Sequence, residues 1–167
     1  HKSVDVAALQ IVHGAVGICC QKVSEAEIFV AGGIQDVFVT NELVGSKKIS
    51  RLVNLAKQAR ISVCVDNAEN IRSLSAVAQR SRIDLNIFLE VDIGGGRCGV
   101  QPGKPTLEMI RTVDDAPYLN FQGLQVYHGK AQHIRSFADR RDAIGQSLKK
   151  VSGILKGIEK SEFSCPV

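Results

Sequence analysis

The chain contains no run approaching the ~20 consecutive apolar residues that a helical membrane span requires, and no secretory leader is visible in it. A membrane partner is therefore not expected. It has no Cys-x-x-C pair, and its five cysteines, at 19, 20, 64, 98 and 165, are odd in number. Cys19, Cys20 and Cys64 sit inside apolar strand-like runs, so the expectation is buried reduced thiols in a cytoplasmic protein, not a disulfide framework or a zinc site. It also lacks a basic run interleaved with aromatics. The net charge of +4 comes from Lys and Arg scattered along helical patterns, such as Lys47, Lys48, Arg51, Lys57 and Arg60. That pattern describes a solvated surface and excludes a nucleic-acid partner from the reading. What is present is 167 residues, 44% hydrophobic and 23% charged, a composition suited to one domain over 1–167. The start at His1 reads as a chain cut at its N-terminus.

The most informative stretch is Glu90-Val-Asp-Ile-Gly-Gly-Gly-Arg-Cys-Gly99. Gly94, Gly96 and Gly99 fit G-x-G-x-x-G, yet a dinucleotide loop needs a helix to open within the motif so that its amides hold the pyrophosphate. Pro102, Gly103 and Pro105 follow at once and are expected to delay the next helix to about Thr106. What remains is a strand whose C-terminal end presents Arg97 on a glycine turn.

Strand and helix alternate along the chain. Val4, Ala7, Ala8 and Ile11 recur at helical spacing, and Val16 to Cys20 reads as a strand. Ser24-Glu-Ala-Glu27 reads as a capping box opening a helix to about Ala31. Asp36 to Thr40 is a predicted strand. Ile49, Leu52, Val53, Ala56 and Ala59 line a helical face, and Ile61 to Val65 returns to strand. Asp66-Asn-Ala-Glu69 can cap a helix with the face Ile71, Leu74, Val77 and Ala78. Leu85 to Ile93 is the longest strand, Leu107 to Val113 a short helix, Phe121 to Tyr127 a strand and Ser136 to about Ile158 a long helix. Ser164 to Val167 read as the start of a sixth strand.

Such alternation means parallel strands with crossover helices, in an open doubly wound sheet or a (β/α)8 barrel. The longest strand puts Ile87, Leu89, Val91 and Ile93 on one side and Phe88, Glu90 and Asp92 on the other. Later, Leu124 and Val126 face one way, Gly123, Gln125 and Tyr127 the other. Carboxylates at the inner end of a strand suit the mouth of a TIM-type barrel better than a sheet covered on both faces. Six strands are visible where a barrel has eight, so the domain is expected to be incomplete at both ends.

Val16-Gly-Ile-Cys-Cys-Gln-Lys-Val-Ser-Glu-Ala-Glu27, Val39-Thr-Asn-Glu42, Val63-Cys-Val-Asp66, Gly95-Gly-Arg-Cys-Gly99 and Gly123-Leu-Gln-Val-Tyr-His-Gly129 together closely resemble the D-threonine aldolase and 3-hydroxyaspartate aldolase family. The resemblance implies a pyridoxal-phosphate enzyme on an alanine-racemase-like barrel. It further implies cleavage of a D-3-hydroxy amino acid, of the 3-hydroxyaspartate or threonine type, to glycine and an aldehyde. A homodimer and a divalent metal, Mg or Mn, held outside this chain also follow from it. The family's Schiff-base lysine falls two positions before His1; Lys2 is its neighbour in that register.

By the same resemblance Arg97 is the arginine that hydrogen-bonds the cofactor's phenolic oxygen, and Tyr127 the aromatic beside its ring. Gln21 and Asn41 are further cofactor-binding candidates at the barrel mouth. Alternatives stand beside each. Arg97 could be a strand-end salt bridge to Glu90 or Asp92, and Tyr127 simple core packing. His128, which alternation turns away from the ligand face, and His133 suit a surface or supporting role. A D-serine or hydroxyaspartate dehydratase, a non-catalytic pyridoxal-phosphate carrier and a generic barrel enzyme remain competing readings of the whole.

Overall fold

The computed structural model describes residues 2–161 and Phe163. Among these residues five strands, β1 (Ile18–Cys20), β2 (Asp36–Glu42), β3 (Arg60–Val65), β4 (Leu85–Val91) and β5 (Leu119–Val126), form one sheet. Six α-helices among the described residues, α1 (Val4–Val12), α2 (Val23–Ala31), α3 (Ser46–Leu55), α4 (Ala68–Ser81), α5 (Lys104–Asp114) and α6 (Phe137–Glu159), alternate with them. A 3-10 turn, Gly129–His133, precedes α6. The predicted sixth strand, Ser164 to Val167, lies outside the described residues.

Every strand pairs in parallel with its sequence neighbour, in the order β1-β2-β3-β4-β5. A doubly wound sheet reverses its order at a switch point, and these strands never do, which is the winding of a barrel wall. Right-handed crossovers then keep the helices on one face. The face toward them is aliphatic and closed: Val37, Val39, Ile61, Val63, Val65, Ile87 and Leu89 have no more than 1% of their surface accessible. Leu52 of α3, Ile71 and Leu74 of α4, and Ile110 and Val113 of α5 meet them, each at 0%.

The opposite face is the barrel interior, and it is layered. At the N-terminal end Arg60 donates from Nη2 to Gln122 Oε1 at 2.8 Å and lies 3.8 Å from Asp36. Above it the Phe38 and Phe88 rings stack with centroids 4.5 Å apart. Toward the strand C-termini the residues turn polar again, with Thr40, Glu42, Cys64, Glu90 and Gln125. Two irregularities break the register, between Val39 and Glu42 on β2 and opposite the Ile87–Phe88 step on β5, where Phe88 pairs with Gly123. Neither bulge is legible in the side-chain alternation.

Several local expectations change. The helix expected from a Ser24–Glu27 capping box starts at Val23, with Lys22 as the N-cap and no side-chain cap. Glu27 is drawn instead to Arg51 on α3, which donates from Nε at 2.7 Å and also from Nη2. Glu25 accepts from the Gln21 N–H at 2.9 Å. Pro105 does not delay its helix: α5 opens at Lys104 with the proline in its first turn, where no N–H is required. Asn67 does cap α4, its Oδ1 accepting from the N–H groups of Glu69 at 2.8 Å and Asn70 at 3.3 Å. Among the described cysteines Cys20 and Cys64 are buried, but Cys19 is exposed on the interior face of the edge strand β1.

Two substitutions separate the cap from the core. Asn67→Ala is expected to cost about 1 kcal/mol, and Leu74→Ala about 2–5 kcal/mol, read as shifts of the urea midpoint at constant slope. A larger loss for the cap than for the core would contradict this packing.

Candidate active site

The polar side chains at the C-terminal ends of the strands surround one cavity of about 440 Å³, lined by Gln21, Thr40, Glu90, Arg97, Gln125 and Tyr127. A smaller one, about 250 Å³, shares Glu90, Arg97 and Tyr127 with it and is closed on its other side by Lys130, Gln132 and His133. Three of the four residues singled out from sequence, Gln21, Arg97 and Tyr127, thus meet around one space. Asn41 does not line it; its Nδ2 donates to the Gln21 carbonyl at 3.3 Å. Thr40 takes the inward place, accepting from Gln21 Nε2 at 2.9 Å and donating to the Cys20 carbonyl at 3.3 Å. Strand parity alone could have pointed to Thr40, since it lies two residues beyond Phe38 on the same face.

Arg97 is held in place by its turn. Asp92 Oδ1 accepts from the N–H groups of Gly94 at 2.9 Å and Gly96 at 3.0 Å. Asp66 Oδ2 accepts from the Gly99 N–H at 3.0 Å. Gly99 has φ +104, and a Cβ there would stand 2.6 Å from the Asp92 nitrogen. Only glycine lets the turn fold back on the strand end. The turn presents Arg97 exposed, and no ion pair among the described residues involves it. The salt bridge to Glu90 or Asp92 considered above is therefore not formed, and Asp92 is occupied by backbone amides.

The electrostatics divide the acids by role. Amides of Gly96 and Gly94 hold the Asp92 carboxyl below the usual aspartate range. Glu90 is 7% exposed. Burial first, and then the neighbouring Glu42 carboxylate, push it up to about 7, while the Arg97 charge pulls the other way. Near neutral pH this carboxyl can both carry and release a proton beside Arg97.

Tyr127 is half exposed, at 50%, so core packing does not explain it. Its hydroxyl accepts from Gln132 Nε2 at 3.2 Å, which fixes the ring over the cavity. His128 faces the other way, against Gly94, where a Cβ would come within 2.9 Å of its ring. Lys2 is engaged by Glu25 at 2.7 Å and does not reach the cavity.

The sequence model described as alanine racemase, N-terminal domain, matches residues 1–167. The chain belongs to this family. It is 47% identical over 161 residues to a 3-hydroxy-D-aspartate aldolase of Paracoccus denitrificans (strain Pd 1222), covering 95% of this chain and 42% of that protein. To a D-threonine aldolase of Arthrobacter sp it is 42% identical over 165 residues, covering 99% and 44%. The crystal structure of D-threonine aldolase from Filomicrobium marinum superposes with a TM-score of 0.96 at 39% identity, over 99% of this chain and 45% of that one. The chain thus spans less than half the length of the relatives it matches, and its sheet is an arc of the alanine-racemase-like barrel. No helix among the described residues is long and apolar enough to cross a membrane.

The Asp92 clamp gives a pH prediction. A carboxyl whose folded pKa is depressed contributes stability that is present above its unfolded value and lost as pH falls through the folded one. Asp92→Asn should therefore destabilise the protein at pH 7, with the deficit against the parent shrinking below about pH 4. Urea midpoints at pH 7 and pH 3 measure it; an equal deficit at both would show that the charge is immaterial.

Proposed function

We propose that this chain forms part of a pyridoxal-phosphate-dependent carbon–carbon lyase that cleaves D-3-hydroxy amino acids, of the 3-hydroxyaspartate or threonine type, to glycine and an aldehyde. The observation that carries the reading is the cavity in which an unpaired arginine, a fixed tyrosine ring and a glutamine converge at the strand ends. The names and identities of the aldolase relatives agree with it.

The residues fit an anionic aromatic cofactor. Arg97 offers a planar array of N–H donors and takes part in no ion pair among the described residues, which suits it to a phenolate oxygen. Tyr127 offers a flat apolar face whose orientation Gln132 fixes. Gln21, anchored through Thr40, borders the same space with an amide. When bound, pyridoxal phosphate supplies an electron sink for cleavage of the Cα–Cβ bond.

The remaining work falls to side chains. Arg97 orients the ring and stabilises negative charge at one oxygen, and the glycine turn lets it approach without a steric cost at Gly99. Glu90, titrating near neutrality, can hold a proton at its carboxyl beneath Arg97 and so adjust the local charge. Thr40 and Gln125 complete the polar wall. The reactive lysine belongs, in this reading, two positions before His1. A divalent metal, Mg or Mn, would assist at the substrate hydroxyl from residues outside this chain, and the assembly would be a homodimer.

Arg97→Ala in the complete protein is expected to weaken cofactor binding about 10- to 100-fold, as for loss of a hydrogen bond to a charged group. Equilibrium titration with pyridoxal phosphate measures this, and unchanged affinity would overturn the assignment. Product analysis decides the reaction. Glycine and an aldehyde from a D-3-hydroxy amino acid support the lyase, whereas ammonia and a keto acid without glycine would make the protein a dehydratase.

A further inference from the structure

On the far side of Glu90 from Tyr127, the C-terminal ends of β2 and β3 and the glycine turn after β4 bring three unlike side chains together. One carboxylate oxygen from each of Glu42 and Asp66, and the Cys98 sulfur, all lie within 4.8 Å of one another. We propose that Glu42, Asp66 and Cys98 form a binding site for a divalent transition-metal ion of the zinc class, distinct from any metal that assists at a substrate hydroxyl.

Three features support this. First, no ion pair among the described residues involves Glu42, Asp66 or Glu90. Second, two buried acceptor atoms at the site have no hydrogen-bond partner. Glu42 Oε1 has no accessible surface and no hydrogen-bond partner. Asn70, 8% exposed, lines the same cavity as Glu42 and Asp66. Its Nδ2 is committed to the Leu43 carbonyl at 2.7 Å, and its Oδ1 is left without a partner. Buried acceptors of this kind are costly unless something positive or a donor meets them. A hydrated cation supplies both, charge for the carboxylate and water O–H groups for the amide. Third, there is a way in, because that cavity, about 680 Å³, runs from Glu42 and Asp66 between α3 and α4 to Arg80.

The ligand set selects the ion. Two oxygens and a sulfur suit Zn²⁺, Co²⁺ or Cd²⁺ and disfavour the hard Mg²⁺ and Ca²⁺. Metal–oxygen and metal–sulfur bonds of about 2.0–2.3 Å require the three atoms to close by a fraction of their present separation. Asp66 already ties the turn to β3 through Gly99, which keeps Cys98 beside the two carboxylates. On binding, the Cys98 thiol gives its proton to solvent and the thiolate bonds to the metal. The consequence is structural: the ion would staple the turn that carries Arg97 to the ends of β2 and β3.

The test uses the complete protein, stripped with a chelator and titrated with Cd²⁺. One equivalent should raise the thermal midpoint and produce thiolate-to-metal charge-transfer absorption in the ultraviolet. Cys98→Ser should abolish that band, while Cys19→Ser, at an exposed thiol outside the cluster, should leave it. Glu42→Gln and Asp66→Asn should weaken binding by about tenfold or more. Metal-free circular dichroism of each variant checks its fold. A direct measurement on the parent removes that dependence: Zn²⁺ should slow alkylation of Cys98, read by peptide mass spectrometry. Absence of the band, its persistence in Cys98→Ser, indifference to both carboxylate substitutions, or unprotected Cys98 would each overturn the site. None of these readouts depends on pyridoxal phosphate or turnover, so failure here leaves the proposed lyase reading untouched.

Discussion

A parallel strand packed against helices can spend only every second residue on the outer core, and this alternation governs the rest of the molecule. On β4 it commits Ile87, Leu89 and Val91 to the helices and so sends Phe88 and Glu90 inward. Glu90 is thereby buried among polar groups at the mouth, beside the Glu42 carboxylate and within the influence of Arg97. Its shifted titration follows from where the aliphatic face must go. The same parity places Phe38 against Phe88, closing the interior below the cavity and confining its chemistry to the strand ends.

The glycine turn after β4 converts that wall into a site. Its shape depends on two carboxylates that accept backbone N–H groups, Asp92 from within the turn and Asp66 from the neighbouring strand end. Because both acids are spent on amides, neither neutralises Arg97, which is left available to a ligand. An ion pair in its place would have consumed a charge that the cavity offers to an anion. The turn is therefore tied to β3 on one side while it presents a cation on the other, and the Cys98 sulfur beside Arg97 faces the acids of β2 and β3.

Much of this was legible in the chain. The order of strands and helices, the aliphatic stripe of β4, the refusal of the glycine stretch to open a helix and the Asn67 cap all rest on local periodicity or local sterics. Arg97, Tyr127 and Gln21 were reached through motif resemblance together with their positions at strand ends. What escaped was set by partners distant in sequence. Glu27 bonds to Arg51 of α3, and the helix opens without a side-chain cap. Thr40, not Asn41, lines the cavity, a miss of a different kind because strand parity from Phe38 already implied it. Cys19 is exposed because β1 is an edge of the described sheet, although its apolar neighbours resemble those of a buried strand.

The alternation of strand and helix is a property of the chain alone, because it follows from side-chain spacing of two or about 3.6, although the starts of α2 and α5 are not. Local too is the glycine turn that carries an arginine at a strand end. Tertiary structure decided the sequential strand order that makes the sheet a barrel wall. It also decided that Asp92 and Asp66 would serve amides and leave Arg97 unpaired, and that Glu42, Asp66 and Cys98 would meet. Those outcomes depend on how separate strand ends are registered against one another, and registration is fixed by packing of the whole aliphatic face.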